Sequence, residues 1–213
     1  MSMMWMRMPG QTWPGVAAAF LGMWMVMMVV MMLPTLTPML WRYRKAVAQA
    51  GLKRSAGLVA LVAAAYFFVW AVLGLIVFVV GAGFTALEMR AIPVLAGLVV
   101  LISGALQLTR WKARRLACCR ESAECGCRSL ATPASAWRHG LKLGLRCNYC
   151  CAGFTAILLA VGVMDLRAMA VVTVAISLER LLPAGERMAQ AIGVAVVAAA
   201  FVMIIHQGST GML

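Results

Sequence analysis

The cysteines of this chain are confined to a single stretch of the sequence. All seven lie between residues 118 and 151, and the last group, Cys147-x-x-Cys150-Cys151, has the spacing i, i+3, i+4. On a helix this spacing places three thiols on one face. Cysteine thiolates are soft donors that suit Cu(I), Zn or an iron–sulfur cluster. The pattern therefore predicts a soft-metal site, and the alternative is that these cysteines are small apolar residues between packed helices.

Two further groups precede this one, Cys118-Cys119 and Cys125-x-Cys127. The first lies on the extension of the third apolar segment, residues 92–109, so we expect it to face the third group at one end of the helices. No role is predicted for Cys125 and Cys127. The candidate thiolate ligands are Cys118, Cys119, Cys147, Cys150 and Cys151.

Methionine has the reverse distribution, because 12 of the 18 methionines lie within the first 39 residues. Five form an N-terminal tail, Met1–Met8. Others repeat every four residues in an apolar segment, which on a helix stacks their thioethers in rows. We predict a row that passes a soft cation along this helix, and the alternative is gap-filling by an adaptable apolar side chain. The candidate thioether ligands are Met27, Met28, Met31 and Met32.

Three other residues could contribute to a site within the apolar segments. Pro34 interrupts the methionine-rich segment, and a proline inside a helix frees a carbonyl one turn earlier. In lipid that carbonyl needs a partner, which could be Thr35, Thr37 or a bound ion; a simple packing kink is the alternative. Asp165 is the only aspartate and lies in a turn, where turn chemistry explains it. Glu179 is a functional candidate, but at the end of an apolar segment we expect it to pair with a neighbouring cation or to extend toward the membrane surface.

The elements that position these residues follow from composition. The chain has 213 residues, of which 64% are hydrophobic and 12% charged, whereas soluble domains are about 45–50% apolar and about a quarter charged. This excludes a soluble domain, and the hydrophobicity excludes a disordered chain. A membrane helix needs about 20 apolar residues, and six such stretches can be identified. They run over residues 16–40, 56–84, 92–109, 150–164, 166–182 and 189–206.

These stretches predict an all-α, polytopic transmembrane bundle of about six helices, with residues 1–213 as a single integral membrane domain. Of the 19 lysines and arginines, 16 flank one end of the helices and three the other. The positive-inside rule makes the rich side cytoplasmic, so both termini face outward. The basic, cysteine-containing segment 110–147 then becomes a cytoplasmic loop. A reducing cytoplasm argues against a disulfide framework there.

The net charge of +13 would indicate nucleic-acid binding in a soluble protein. In this chain the cations are explained by membrane topology and contact with anionic lipids, so no nucleic-acid partner is expected. The sequence contains no H-E-x-x-H motif, Walker loop or G-x-S-x-G motif. We therefore expect a protein that is not an enzyme.

Four motifs together resemble those of a bacterial family described as predicted metal-binding integral membrane proteins, domain of unknown function 2182. They are W-x2-MM-x2-MMLP at residues 24–34, CNYCCAG at 147–153, GVMDLRAM at 162–169 and ERLLPAG at 179–185. The similarity covers roughly residues 20–205. It implies metal binding by a membrane protein and gives neither the metal nor the direction of movement.

Three hypotheses about function follow. The first is binding, with or without transport, of a soft metal at the cytoplasmic (inner) membrane; Cu(I) is favoured, and Zn or Hg(II) are variants. The lipid bilayer, and a metallochaperone or membrane protein that exchanges the ion, would be the partners. The second is a membrane thiol–disulfide or quinone-linked oxidoreductase, because Cys147-x-x-Cys150 has the spacing of a redox pair. The third is a non-catalytic assembly or accessory subunit, since small residues late in the chain suit helix–helix packing.

Overall fold

The protein is helical throughout the residues that its structure describes. The computed structural model describes residues 12–49, 55–84, 92–109, 112, 132–161, 165–182 and 185–210, and within these ranges no strand is present. The predicted all-helical fold is therefore confirmed. The helices are α1 (Trp13–Gln49), α2 (Ser55–Phe84), α3 (Ile92–Gln107), α4 (Pro133–Val161), α5 (Leu166–Leu181) and α6 (Gly185–Thr210).

Three of these helices contain a segment long and apolar enough to cross a membrane. The segments are Trp13–Ala48 in α1, Ala56–Gly83 in α2 and Pro133–Ala160 in α4. α3 and α6 contain the shorter apolar segments Ala96–Gln107 and Arg187–Val202. Six full membrane crossings and outward termini stay predictions.

α4 begins much earlier than its predicted start near Cys150. Thr132 accepts a hydrogen bond from the amide of Ser135 at 3.4 Å, and Pro133 follows as the first helical residue. A threonine N-cap before proline is a favoured helix start. Residues 133–147 of the predicted loop are therefore helical.

The start of α4 was predicted too late in the sequence because the first half of this helix is highly charged. Arg138, Lys142 and Arg146 recur every four residues and lie on the exposed face of α4. Gly140 and Cys147 lie on its buried face. The first half of α4 is thus amphipathic. The cationic residues that indicated a loop lie together on the exposed side of this helix.

The contacts divide the chain into two compact units, residues 1–86 with 119–148, and residues 87–118 with 149–213. The first contains α1, α2 and the first half of α4. Side chains from all three form a buried cluster there. Its members are Tyr43, Val47, Leu58, Val62 and Ala136.

The second unit contains α3, the rest of α4, α5 and α6. Glycines let α3 and α6 approach closely: a Cβ on Gly104 would lie 2.9 Å from Val197 Cγ2, and one on Gly193 would lie 3.0 Å from Gln107 Cβ. Asp165 caps α5, because its carboxylate accepts from the amides of Arg167 at 2.8 Å and Ala168 at 3.3 Å. Asp165 therefore bonds to the local backbone as the N-cap of α5; residues 162–164 of the predicted turn region lie outside the described residues.

Candidate functional site: a buried methionine–cysteine pair

Two soft sulfur atoms from distant parts of the sequence meet inside the first unit. The thiol of Cys147 on α4 lies 3.8 Å from the thioether sulfur of Met32 on α1. The hydroxyl oxygen of Tyr66 on α2 lies 2.9 Å from the same thiol. These side chains are between 0% and 2% exposed, so three helices enclose one sulfur pair.

Two glycines on α4 bring Cys147 to this position. A Cβ on Gly140 would collide with the main-chain oxygen of Val62, and one on Gly144 would lie 3.0 Å from that of Tyr66. Small residues four apart allow two membrane helices to approach closely. Because Cys147 follows Gly144 by about one turn, the same contact carries its thiol to the Tyr66 side chain. The Gly140-x3-Gly144 spacing is the sequence signal for this close approach.

The hydrogen bonds around Cys147 depend on its protonation state. As a thiol, Cys147 can donate its hydrogen to the Met32 sulfur, and in the contact with Tyr66 either atom can be the donor. As a thiolate, Cys147 can only accept, so the Tyr66 hydroxyl then donates to it.

The spacing of the two sulfurs suits a shared metal ion. With metal–sulfur bonds of about 2.3 Å, two sulfurs 3.8 Å apart would subtend about 110° at the metal. Within the described ranges, no group of three or more His, Cys, Asp or Glu side chains is placed to hold a metal; the two sulfurs combine one cysteine with one methionine.

The candidate methionines form a buried surface on α1 that leads to this pair. Met27, Met28, Met31 and Met32 are all buried. The indole of Trp24 donates to the main-chain oxygen of Trp70 at 3.0 Å, which places the preceding turns of α1 against α2. Met28 therefore lies one turn from Trp24 and one turn from Met32 on the same face of the helix.

The threonines beside Pro34 do not have the predicted partners. Thr35 donates to the Met32 carbonyl at 3.0 Å, and Thr37 donates to the Leu33 carbonyl at 2.7 Å. The carbonyls that lose a donor to Pro34 and Pro38 belong to residues 30 and 34. Of the alternatives considered for Pro34, the two threonines therefore bond elsewhere, and a bound ion and a packing kink both stay open. The Thr35 bond instead reinforces the backbone at Met32.

Glu179 lies in a separate polar cluster inside the second unit. Its carboxylate is 3.3 Å from the Lys112 ammonium and accepts from the Gln107 amide, also at 3.3 Å. The ammonium donates to the Cys150 carbonyl and lies 5.1 Å from the Phe154 ring centre. Pairing of Glu179 with a cation is confirmed. Its extension toward the membrane surface is wrong, because the side chain is 2% exposed.

The remaining cysteines divide into buried residues and residues outside the described ranges. Cys150 and Cys151 are buried, and Cys147, Cys150 and Cys151 are thiols rather than disulfide partners. The ligand role of Cys150 and Cys151 stays a prediction. Cys118, Cys119 and the methionine tail lie outside the described residues.

One known family matches most of this chain. The model of the PpoB2 family, described as copper chaperone, matches residues 21–203. That range includes both Met32 and Cys147. No curated protein and no solved structure matched in the corresponding comparisons. The expectation of a metal-related family is confirmed, and the chain belongs to the PpoB2 family.

Proposed function

We propose that this protein binds Cu(I) as its cargo inside a membrane, with Cys147 and Met32 as the central ligands. The observation that carries the proposal is the 3.8 Å contact between the two sulfurs. Thiolate and thioether donors suit Cu(I). Membership of a copper chaperone family supports the same metal.

The charge of the surroundings favours a monovalent ion. The described residues of the first unit contain no aspartate or glutamate. A Cu(I)–thiolate pair is neutral, whereas a divalent ion on one thiolate would retain a positive charge. An uncompensated charge in a buried apolar site is strongly unfavourable. We therefore favour Cu(I) over Zn and Hg(II) as the cargo.

The buried methionines of α1 provide a route to this pair. Met28 precedes Met32 by one turn, and the thioether is a weaker donor than the thiolate. An ion that moves along this row would reach its strongest ligand at Cys147. In the proposed topology, both termini face outward, so this movement runs inward across the cytoplasmic membrane.

We propose that the protein transfers copper without catalysing a reaction. A metallochaperone or a membrane protein would exchange the ion with it. The 2182 family resemblance fits the same proposal, because it also implies metal binding by a multi-pass membrane protein.

The test is Cu(I) binding by detergent-purified protein, measured by competition with a chromogenic Cu(I) chelator. Cys147→Ser retains a hydroxyl for Tyr66 and removes the thiolate, so we expect at least a tenfold loss of affinity. Met32→Leu should lower the affinity less. Met25→Leu is the matched control on the same helix and should have no effect. Unchanged affinity in Cys147→Ser would remove the basis of the proposal.

A further inference from the structure

The hydroxyl of Tyr66 lies closer to the sulfur of Cys147 than two ligands of a tetrahedral metal ion would. For bonds of about 2.3 Å to sulfur and about 2.0 Å to oxygen, the 2.9 Å separation corresponds to an angle of about 85° at the metal. The Met32 sulfur instead corresponds to about 110°. Tyr66 therefore has the geometry of a hydrogen-bond donor, whereas Met32 has that of a ligand.

The Tyr66 side chain also limits the number of further protein ligands that a metal ion bound to Cys147 could have. The ring is 1% exposed, and its hydroxyl lies directly against the sulfur. Zinc in structural sites almost always takes four protein ligands. Among the described residues, no group of three His, Cys, Asp or Glu side chains is available to supply them.

We propose that Tyr66 determines the metal specificity of the site, because its ring and its O–H···S hydrogen bond occupy the space next to Cys147 that an additional ligand would need. The pair of sulfurs then accepts a soft monovalent ion of low coordination number and disfavours Zn²⁺. This inference rests on the proposed function of Cys147 and Met32. It adds a role for a residue that need not touch the ion.

Replacing Tyr66 with histidine should allow the site to bind Zn²⁺. An imidazole is shorter than a phenol, so Tyr66→His withdraws the polar atom from the sulfur and adds a nitrogen that can ligate Zn²⁺. The hydrogen bond can be removed separately with Tyr66→Phe, which keeps the ring. A hydrogen bond to a charged group is worth about 1.5–3 kcal/mol, and about 1.4 kcal/mol is tenfold in affinity.

The experiment measures binding of Cu(I), Ag(I) and Zn²⁺ to the purified full chain and to both variants. We expect the wild type to bind Cu(I) and Ag(I) and to bind Zn²⁺ weakly. Tyr66→His should raise the Zn²⁺ affinity at least tenfold, and Tyr66→Phe should lower the Cu(I) affinity about tenfold while Zn²⁺ binding stays weak. Phe68→His, at an exposed position on the same helix, is the control for added imidazole and should leave the Zn²⁺ affinity unchanged.

The outcomes separate this inference from the proposed function. If Cu(I) binding requires Cys147 but Tyr66→His leaves the Zn²⁺ affinity unchanged, the specificity role of Tyr66 is wrong and the copper site stands. If Cys147→Ser leaves Cu(I) binding intact, the proposed function itself fails. Should Tyr66→His not fold, the Tyr66→Phe result decides, and unchanged Cu(I) affinity in that variant overturns the inference.

Discussion

The sulfur of Cys147 contacts the sulfur of Met32 across 115 residues of sequence. The first lies on a helix with an exposed basic face, and the second lies on a methionine-rich helix. The contact brings together one residue from the cysteine group at the middle of α4 and one from the methionine row of α1. It also depends on glycines of α4, which makes the site sensitive to helix packing.

Gly144→Ala tests this dependence. Its Cβ would lie 3.0 Å from the Tyr66 carbonyl oxygen and 2.9 Å from Val69 Cγ2, so α4 must move away from α2. Overpacking of this kind costs about 1–3 kcal/mol, and we expect a lower melting temperature together with weaker Cu(I) binding. Thermal unfolding in detergent and chelator competition measure the two effects.

Gly22→Ala is the matched control for this substitution. A Cβ on Gly22 would have no atom within 4 Å, and alanine favours a helix over glycine by about 1 kcal/mol. We expect unchanged or slightly higher stability and unchanged Cu(I) affinity. Equal destabilisation by both substitutions would show that close approach at Gly144 is not the cause.

Breaking the buried ion pair between Lys112 and Glu179 should strongly destabilise the second unit. Removing one member of a buried pair leaves the other charge uncompensated, at a cost of about 3–5 kcal/mol. We therefore expect Glu179→Leu and Lys112→Met to lower the melting temperature strongly. The double variant should be more stable than either single variant, because neither charge remains; additive losses would contradict a direct pairing.

Asp165 should contribute to stability by a different mechanism and by a smaller amount. Its carboxylate accepts two amide hydrogen bonds at the start of α5. Loss of an N-cap costs about 1 kcal/mol, so Asp165→Ala should lower stability by that amount without changing Cu(I) affinity. Asp165→Ser retains a capping oxygen and should restore most of the loss; a large loss of copper binding in Asp165→Ala would instead assign this residue to the site.

The methionine row gives a kinetic prediction. Met28 is buried one turn before Met32 on α1, so Met28→Leu keeps the volume of the side chain and removes a thioether from the route. We expect slower Cu(I) loading, measured by stopped-flow competition, with little change in equilibrium affinity. Loading at the wild-type rate would show that Met28 serves packing alone.

The sequence was sufficient to predict most of the helices and the candidate ligands. Apolar segments such as residues 56–84 are long and uninterrupted, so α2 was predicted almost to the residue. The start of α4 was not, because the charges of Arg138, Lys142 and Arg146 indicate a loop, although these residues form one face of a helix. The sequence signal for the start of α4 is Thr132 as an N-cap followed by Pro133 at the first helical position.

The site itself was only partly predictable. Residue type and spacing identified Cys147 and Met32 as soft donors, but no local pattern pairs residues that are 115 positions apart. Tyr66 was missed because a single tyrosine in an apolar helix has no distinguishing spacing. Its position depends on the close approach of α4 to α2 at Gly144, which is a tertiary contact.

X-ray absorption at the copper edge of the Cu(I)-loaded protein tests the central claim most directly. The account predicts a first coordination shell of sulfur in the wild type, with a reduced sulfur contribution in both Met32→Leu and Cys147→Ser. A first shell of nitrogen or oxygen, or spectra that neither substitution changes, would contradict it.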